Sequence, residues 1–437
     1  MREKTVGICT LGCRVNQYES DALARLLFER GWDVRGFDDK CSVYIINTCT
    51  VTAESDRKSR QLIRRAKTTN PDAFIIACGC YTQVKPQDVT DFADFICGTR
   101  NKTAAVDAAE KYINGLDTKK SDLPAPSTLP FEPLFAPHTE RTRAFVKIED
   151  GCDGKCAYCL IRLARGNVVS RAESDILAEL EALYDAGYPE AVLTGIETSA
   201  YGRDTGTDLL SLLLKTNDIK CPPRIRLSSI DPAYLTPAVS EELSKVKRLM
   251  PHLHLSVQSG SSAVLAAMRR KYNAEMLYRN VEACRKNIPG IRFSADIIAG
   301  FPGETEEDHK KTLEFLDFAN LVHAHIFPFS ERDGTEAAAM KNRLDKRTKT
   351  RRAAELAEHQ EKINKADAEK LAGTEAEVLF EETDHGCAYG HTKHFLYVRV
   401  KADDIPRGAV KTVTLKSYEK GVFEAEAYGR ADHPIHE

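Results

Sequence analysis

Arg143-Ala-Phe-Val-Lys-Ile-Glu-Asp-Gly-Cys152-Asp-Gly-Lys-Cys156-Ala-Tyr-Cys159 joins a strand-like run directly to a C-x3-C-x2-C loop. Five more β-rich runs follow, at 191–194, 224–228, 252–257, 292–299 and 323–328, each succeeded by a helical pattern. Six βα repeats in one region predict an α/β unit built as a partial or complete (β/α) barrel of TIM type. In such a fold the reactive groups stand on loops that leave the carboxyl ends of strands, and the cysteine loop leaves the first strand. Three close thiolates suit three irons of a cubane cluster. A zinc site would call for a fourth cysteine or histidine, and none occurs in the thirty residues after Cys159.

An iron without a protein ligand can chelate the amino and carboxylate groups of S-adenosylmethionine beside a reduced cluster. The loop and its position resemble the radical S-adenosylmethionine superfamily signature. Later strand ends carry Leu193-Thr-Gly195-Ile-Glu197, Arg226-Leu-Ser228-Ser and Asp296-Ile-Ile-Ala-Gly300-Phe-Pro-Gly-Glu304, where members of that superfamily hold the cofactor. The resemblance implies Tyr158 beside the adenine, Glu197 and Ser228 on the amino group and ribose, and close backbone approach at Gly195 and Gly300. The competing reading makes Ser228 a satisfied strand-end hydroxyl and the glycines turn residues.

Upstream, runs at 5–10, 42–47 and 73–78 alternate with helix-like stretches at 20–29 and 56–67, a parallel α/β pattern. Three cysteines recur at its strand ends: Cys13, Cys49 and Cys80. Parallel neighbours place those loops on one sheet edge, so a second three-thiolate set converges there. Cys9, Cys78 and Cys97 are rivals, with Cys80 preferred to Cys78 because it lies beyond the strand. Cys41, Cys221, Cys284 and Cys387 stand alone and read as packing residues. With no export signal and no apolar run long enough to cross a bilayer, the chain reads as cytoplasmic, where thirteen cysteines point to metal or redox chemistry and not to disulfides.

The stretch 117–142 is proline-rich and aperiodic, a linker. Residues 341–372 are charged and helix-favouring and read as a solvated connecting helix. From Gly373 short alternating runs at 375–381, 395–401, 408–415 and 421–428 predict a small antiparallel β-barrel. A net charge of −3 with 29% charged residues excludes a uniformly basic nucleic-acid coat, so any RNA site is local.

With both cysteine sets, nearly the whole chain resembles the radical S-adenosylmethionine methylthiotransferases. That family implies a methylthiotransferase domain at 1–116, a linker at 117–137, a radical core at 138–370 and a TRAM domain at 371–437. Thr10-Leu-Gly-Cys-Arg-Val-Asn-Gln-Tyr-Glu-Ser20 is similar to the branch often called MtaB, which modifies N6-threonylcarbamoyladenosine in tRNA. Further similarity lies in Gln258-Ser-Gly-Ser261, Met268-Arg-Arg-Lys-Tyr272, Phe301-Pro-Gly-Glu-Thr305 and Phe329-Ser-Glu-Arg-Asp-Gly-Thr335. The resemblance implies two [4Fe-4S] clusters, on Cys152, Cys156 and Cys159 and on Cys13, Cys49 and Cys80. It also implies two uses of S-adenosylmethionine, one as methyl donor and one as the radical source that takes hydrogen from C2 of the adenine. The implied partners are the tRNA anticodon loop and a reductant such as flavodoxin or ferredoxin, with no membrane. Arg162, Glu197 and Ser256 depart from the proline, histidine and proline that members commonly carry.

The last domain has eight Lys and Arg against twelve acids, so its RNA partner rests on resemblance. Gly390-His-Thr-Lys-His-Phe-Leu-Tyr-Val-Arg399 is a candidate stacking edge, with an ordinary amphipathic strand as its alternative. Arg162, Arg165 and Arg171, and Arg57, Lys58, Arg60, Arg64 and Arg65, add local positive charge near the predicted sites.

Overall fold

Val43–Thr48 and Phe74–Gly79 are buried along their whole length, as near-continuous apolar runs demand when helices cover both faces of a parallel sheet. They sit at the centre of a six-stranded sheet ordered Asp33–Arg35, Thr5–Thr10, Val43–Thr48, Phe74–Gly79, Phe95–Cys97, Ser121–Asp122, with every neighbouring pair parallel. The computed structural model describes residues 3–136, 141–402 and 404–427. From Thr5–Thr10 the chain crosses to one side and then returns to Val43–Thr48 on the other, so a topological switch point lies between these strands. Ligands in open parallel sheets bind at that crevice. The loops carrying Cys13 and Cys49 leave the two strands that flank it.

Two elements of this unit differ from the sequence expectation. The first helix spans Arg14–Glu29, starting six residues before position 20, with Cys13 as its extended N-cap. The linker is partly ordered: Ser121–Asp122 adds an edge strand, and Glu132 accepts hydrogen bonds from the Lys102 and Thr103 amides. Part of that stretch, 137–140, lies outside the described residues.

The second unit has the six expected strands, Arg143–Lys147, Glu190–Thr194, Arg224–Leu227, His252–Gln258, Arg292–Ala299 and His323–Pro328. They form two parallel sheets in succession, of three and four strands. The ladder breaks at Ser228 and resumes at Ser229–Ile230, which pairs with His252–Gln258. Alternation along these strands separates two faces. Ala144, Val146, Ala191, Leu193, Ile225, Leu227, Leu253, Leu255, Phe293 and Ala295 belong to the largest apolar core, against the helices. The other parity presents Arg143, Glu190, Arg224, Arg226, His252, His254, Ser294, Asp296, His323 and His325. A parallel sheet with one polar face has a site on that face, since apolar residues would otherwise fill it.

A closed five-stranded barrel ends the described chain, in the order Glu375–Asp384, Cys387–Thr392, Tyr397–Val400, Val422–Ala427, Val410–Glu419. Cys387–Thr392 is a strand that the sequence reading did not assign, and its last three residues open the candidate stacking edge. Its hairpin turn is not free for RNA: Phe395 stacks on His252 at 4.5 Å and lies under the guanidinium groups of Arg143 and Arg226, closing the amino-terminal end of the central sheets. The 26-residue helix Lys346–Leu371 is likewise more than a solvated connector. Arg352, Leu356, Gln360 and Ala368 are buried, and Gln360 donates to Leu321 O at 2.7 Å, so the helix braces the second unit against the barrel. No helix among the described residues is long and apolar enough to cross a membrane.

Candidate metal centres

On the loop after Arg143–Lys147, each of the three sulfurs has a donor aimed at it. Gly154 N–H points at Cys152 Sγ (3.2 Å), the Arg270 guanidinium at Cys156 Sγ (3.2 Å) and Ile161 N–H at Cys159 Sγ (3.5 Å). Donors of this kind favour sulfur as thiolate, the form that ligates iron. Burial acts the other way and pushes the Cys152 thiol up to about 12. A cation that replaces the proton resolves the conflict. Arg270 is itself held by Ser256 O and by Asp231, whose amide donates to Glu197.

The second set also comes together. Gly12, at φ +103°, lies against Cys49, where a Cβ would stand 2.9 Å from its Sγ. Burial, with Cys80 and Cys13 nearby, pushes the Cys49 thiol up to about 12. Cys80 follows directly on Phe74–Gly79 and receives Arg165 Nε at 3.3 Å. The rivals point elsewhere. Cys78 and Cys97 hydrogen bond to each other inside an apolar core, and Cys9 faces Arg65 and Asp38. Cys41, Cys221 and Cys284 are buried packing residues, and Cys387 is half-buried on the terminal barrel. Among the described residues no three His, Cys, Asp or Glu side chains close around a single ion. A cubane would spread its thiolates over separate irons. Arg165, on the short helix Ile161–Arg165 that follows Cys159, makes that bond to Cys80 and so brings the first-unit loop beside the loop of Cys152, Cys156 and Cys159.

The candidate cofactor contacts divide. Tyr158 packs edge-on to Phe301 at 6.3 Å, beside Arg270 and Tyr272. Glu197 Oε1 accepts from Ser199 and from the Asp231 amide, and its carboxyl is raised by burial and by Asp231. Ser228 is buried where the ladder breaks, with its amide on Leu193 O at 2.9 Å. Gly300 is covered: a Cβ there would stand 2.5 Å from Lys349 Cγ, so this glycine makes room for the Lys346–Leu371 helix.

Gly195 meets a residue the sequence reading passed over. A Cβ at 195 would lie 2.1 Å from Glu149 Oε1. Glu149 is fully buried, accepts the Glu197 amide at 2.7 Å, and leaves Oε2 without a partner among the described residues. Burial lifts its carboxyl from 4.5 to about 8, so it is protonated at neutral pH. The native state therefore holds a proton that the unfolded chain releases, and stability falls as pH rises from about 4.5 to about 8. Glu149→Gln removes this dependence. Its stability advantage over the unsubstituted chain should grow by up to about 1.4 kcal/mol per pH unit across that window and stay level outside it. Chemical denaturation at three pH values measures the slope.

The clustered arginines are not all available to RNA. Arg165 and Arg171 are buried against Glu19 and Glu179, while Arg162 stays exposed. On the Ala53–Thr69 helix, Arg57, Lys58, Arg64 and Arg65 are exposed, with Arg57 and Arg65 in surface ion pairs.

Residues 146–316 match the radical SAM superfamily, and residues 5–98 match the family described as uncharacterized protein family UPF0004. The chain is 37% identical over 440 residues to the Bacillus subtilis threonylcarbamoyladenosine tRNA methylthiotransferase MtaB, covering 96% of each. The Thermotoga maritima protein of the same name is 35% identical, with 97% of each covered. The chain belongs to the radical SAM methylthiotransferase family. Such enzymes modify tRNA and use a [4Fe-4S] cluster and S-adenosylmethionine. Another methylthiotransferase, the tRNA-2-methylthio-N(6)-dimethylallyladenosine synthase of Moorella thermoacetica, is 32% identical with 97% of this chain covered. Among solved structures, the radical S-adenosylmethionine methyltransferase TsrM of Kitasatospora setae, with cobalamin and a [4Fe-4S] cluster bound, aligns at a TM-score of 0.57. It shares 14% identity over 89% of this chain and 80% of its own, and so speaks to fold alone.

Proposed function

We propose that this methylthiotransferase converts N6-threonylcarbamoyladenosine at position 37 of the tRNA anticodon loop to its 2-methylthio derivative, with two [4Fe-4S] clusters and two molecules of S-adenosylmethionine. The observation that supports the reading is the Arg165 bond to Cys80 Sγ, which joins the loops that carry the two cysteine sets. The threonylcarbamoyl substrate is favoured by the MtaB-named relatives. When bound, the cofactors supply the radical that removes hydrogen from C2 and the methylated sulfur that replaces it.

The chain's own residues do the rest. The six cysteines hold the clusters; Arg165 and Arg270 set the charge at Cys80 and Cys156. Tyr158, Glu197 and Ser228 bound the space for S-adenosylmethionine, with Gly195 packed on Glu149 beside them. Glu149, protonated beside that space, adds no charge that would compete with the clusters for the cationic sulfonium. The first unit acts as the methylthiotransferase domain, the second as the radical core and the terminal barrel as a TRAM domain. A cytoplasmic flavodoxin or ferredoxin is the fitting reductant. The adenine leaves the loop stack to reach the crevice, at a cost that an unpaired loop keeps small.

The test is anaerobic reconstitution with iron and sulfide, followed by S-adenosylmethionine, dithionite and tRNA bearing either threonylcarbamoyl- or dimethylallyladenosine, with nucleosides read by mass. A methylthio product only on the threonylcarbamoylated tRNA is expected. Product only on the dimethylallyl tRNA transfers the reading to the other branch, and deoxyadenosine without modified RNA removes tRNA as substrate.

A further inference from the structure

We propose that Arg14 binds the carboxylate of the amino-acid group carried on N6 of the target adenine, and so determines which N6-substituent the enzyme accepts. The inference rests on the threonylcarbamoyl reading above and adds the residue that would enforce it.

Arg14 is the first residue of the Arg14–Glu29 helix, next to Cys13. That helix packs against the Arg143–Lys147 strand, and the guanidinium lies within electrostatic reach of Arg143, Arg226, Glu190, Asp296, His252 and His325 on the polar face of the central sheets. The other arginines of that face are paired. Arg143 meets Glu381 at 2.6 Å, and Arg224 and Arg226 each meet Glu190 at 2.9 Å. Arg14 makes no hydrogen bond or ion pair among the described residues. A guanidinium keeps its charge at neutral pH.

A recessed, unpaired guanidinium is costly to keep, and a carboxylate offered in its fork geometry offsets that cost. The imidazoles do not compete for the anion as cations: burial holds His252, His323 and His325 below their ordinary range, His323 at about 4. They and Ser294, which contacts His252 at 3.0 Å and His254 at 2.8 Å, offer neutral hydrogen bonds instead. A base whose C2 stands between the two cysteine sets can direct its N6-substituent over this face, while the RNA phosphates remain outside the crevice. A threonylcarbamoyl group ends in one carboxylate and one hydroxyl, which match one free guanidinium and neutral polar partners. An all-carbon substituent would leave Arg14 desolvated and unsatisfied, the arrangement by which a polar site rejects an apolar analogue.

The experiment compares affinities of the reconstituted full chain for three anticodon stem-loops: threonylcarbamoyl, the same group with its carboxylate converted to a primary amide, and dimethylallyl. The unsubstituted chain is expected to bind the acid about ten- to a hundredfold more tightly than the amide. Arg14→Gln is expected to abolish that preference by weakening the acid loop alone, and Arg14→Lys to retain part of it. Iron content equal to that of the unsubstituted chain shows that the fold and both cysteine sets survive. An acid preference that persists in Arg14→Gln overturns the proposal, because the carboxylate is then recognised elsewhere. Equal weakening of acid and amide loops overturns it too, by making Arg14 a phosphate contact. If the unsubstituted chain ignores the carboxylate and methylthiolates the dimethylallyl loop, the substrate reading itself falls, a result distinct from either.

Discussion

Arg165→Ala is expected to cost about 3–5 kcal/mol of stability, the range for stripping one partner from a buried charge network. The guanidinium is fully buried and spends nearly all its donors. It meets Glu19 at 2.9 and 3.1 Å, Asp150 at 2.9 Å, Asn16 at 2.5 Å and Cys80 Sγ at 3.3 Å. Lys147 bridges the same two carboxylates at 2.7 Å each, and Lys102 closes on Glu19 from the far side. Glu19 and Lys102 belong to the first unit, Lys147, Asp150 and Arg165 to the second. The network therefore fixes one unit on the other and sets the distance between the two cysteine sets. Burial alone would raise the Asp150 carboxyl; Arg165 and Lys147 hold it below its ordinary range. Removing Arg165 leaves Glu19 and Asp150 underpaired in a site that water does not reach.

Cations outnumber carboxylates in this group, and the surplus faces Cys80, where iron binding requires a thiolate. Arg165→Lys keeps the charge and loses the fork and the bond to sulfur. It should fold, with a smaller loss of stability, and, if Cys80 ligates a cluster as proposed, shift the reduction potential of that cluster downward, since donors to ligating sulfur stabilise the reduced state. Denaturant unfolding of both variants and a redox titration followed by electron paramagnetic resonance test the two parts. A loss under about 1 kcal/mol for Arg165→Ala would show that the network does not hold the units together.

The placement of this network marks where the sequence stops being legible. Strand runs and their order were readable because buried parallel strands are apolar along their length, as Val43–Thr48 and Phe74–Gly79 are. The different settings of Cys78 and Cys80 were readable for a similar reason. Parity puts Cys78 on the face of Ile76, in the core with Cys97, while Cys80 lies past the strand end. The polar alternation of His252-Leu-His254-Leu and His323-Ala-His325 was equally open to inspection and marks the inner face of the site. Arg165 was not. Its partners Glu19 and Asp150 stand 146 and 15 residues away, and nothing local distinguishes a cation in an interdomain network from one on the surface. Glu149 was hidden for the same reason, since its environment is made by Gly195 and the Glu197 amide from the next strand end. Phe395 shows the converse: an aromatic in a basic hairpin suggests RNA stacking until the fold buries it on His252 and Arg226.

Alanine at Cys13, Cys49 or Cys80 is expected to separate two activities that alanine at Cys152, Cys156 or Cys159 abolishes together. If each set carries its own cluster, a first-unit variant retains the loop that opens S-adenosylmethionine. It should make deoxyadenosine after reduction, contain about half the iron, and form no methylthio product, a fall of several orders of magnitude in the overall reaction. A variant in the 152–159 loop loses the radical source and should form neither product. The contrast does not depend on folding alone: Cys49 and Cys80 are small buried residues whose replacement by alanine leaves little void, so the variants keep their secondary structure. Cys78→Ala is the matched control, equally buried on the strand that precedes Cys80 but set in the apolar core with Cys97, and it should keep full iron and both products. Should Cys78→Ala lose the methylthio product while Cys80→Ala keeps it, the third ligand is reassigned to Cys78. Should all three first-unit variants keep it, those cysteines are structural and the sulfur comes from a source outside this chain.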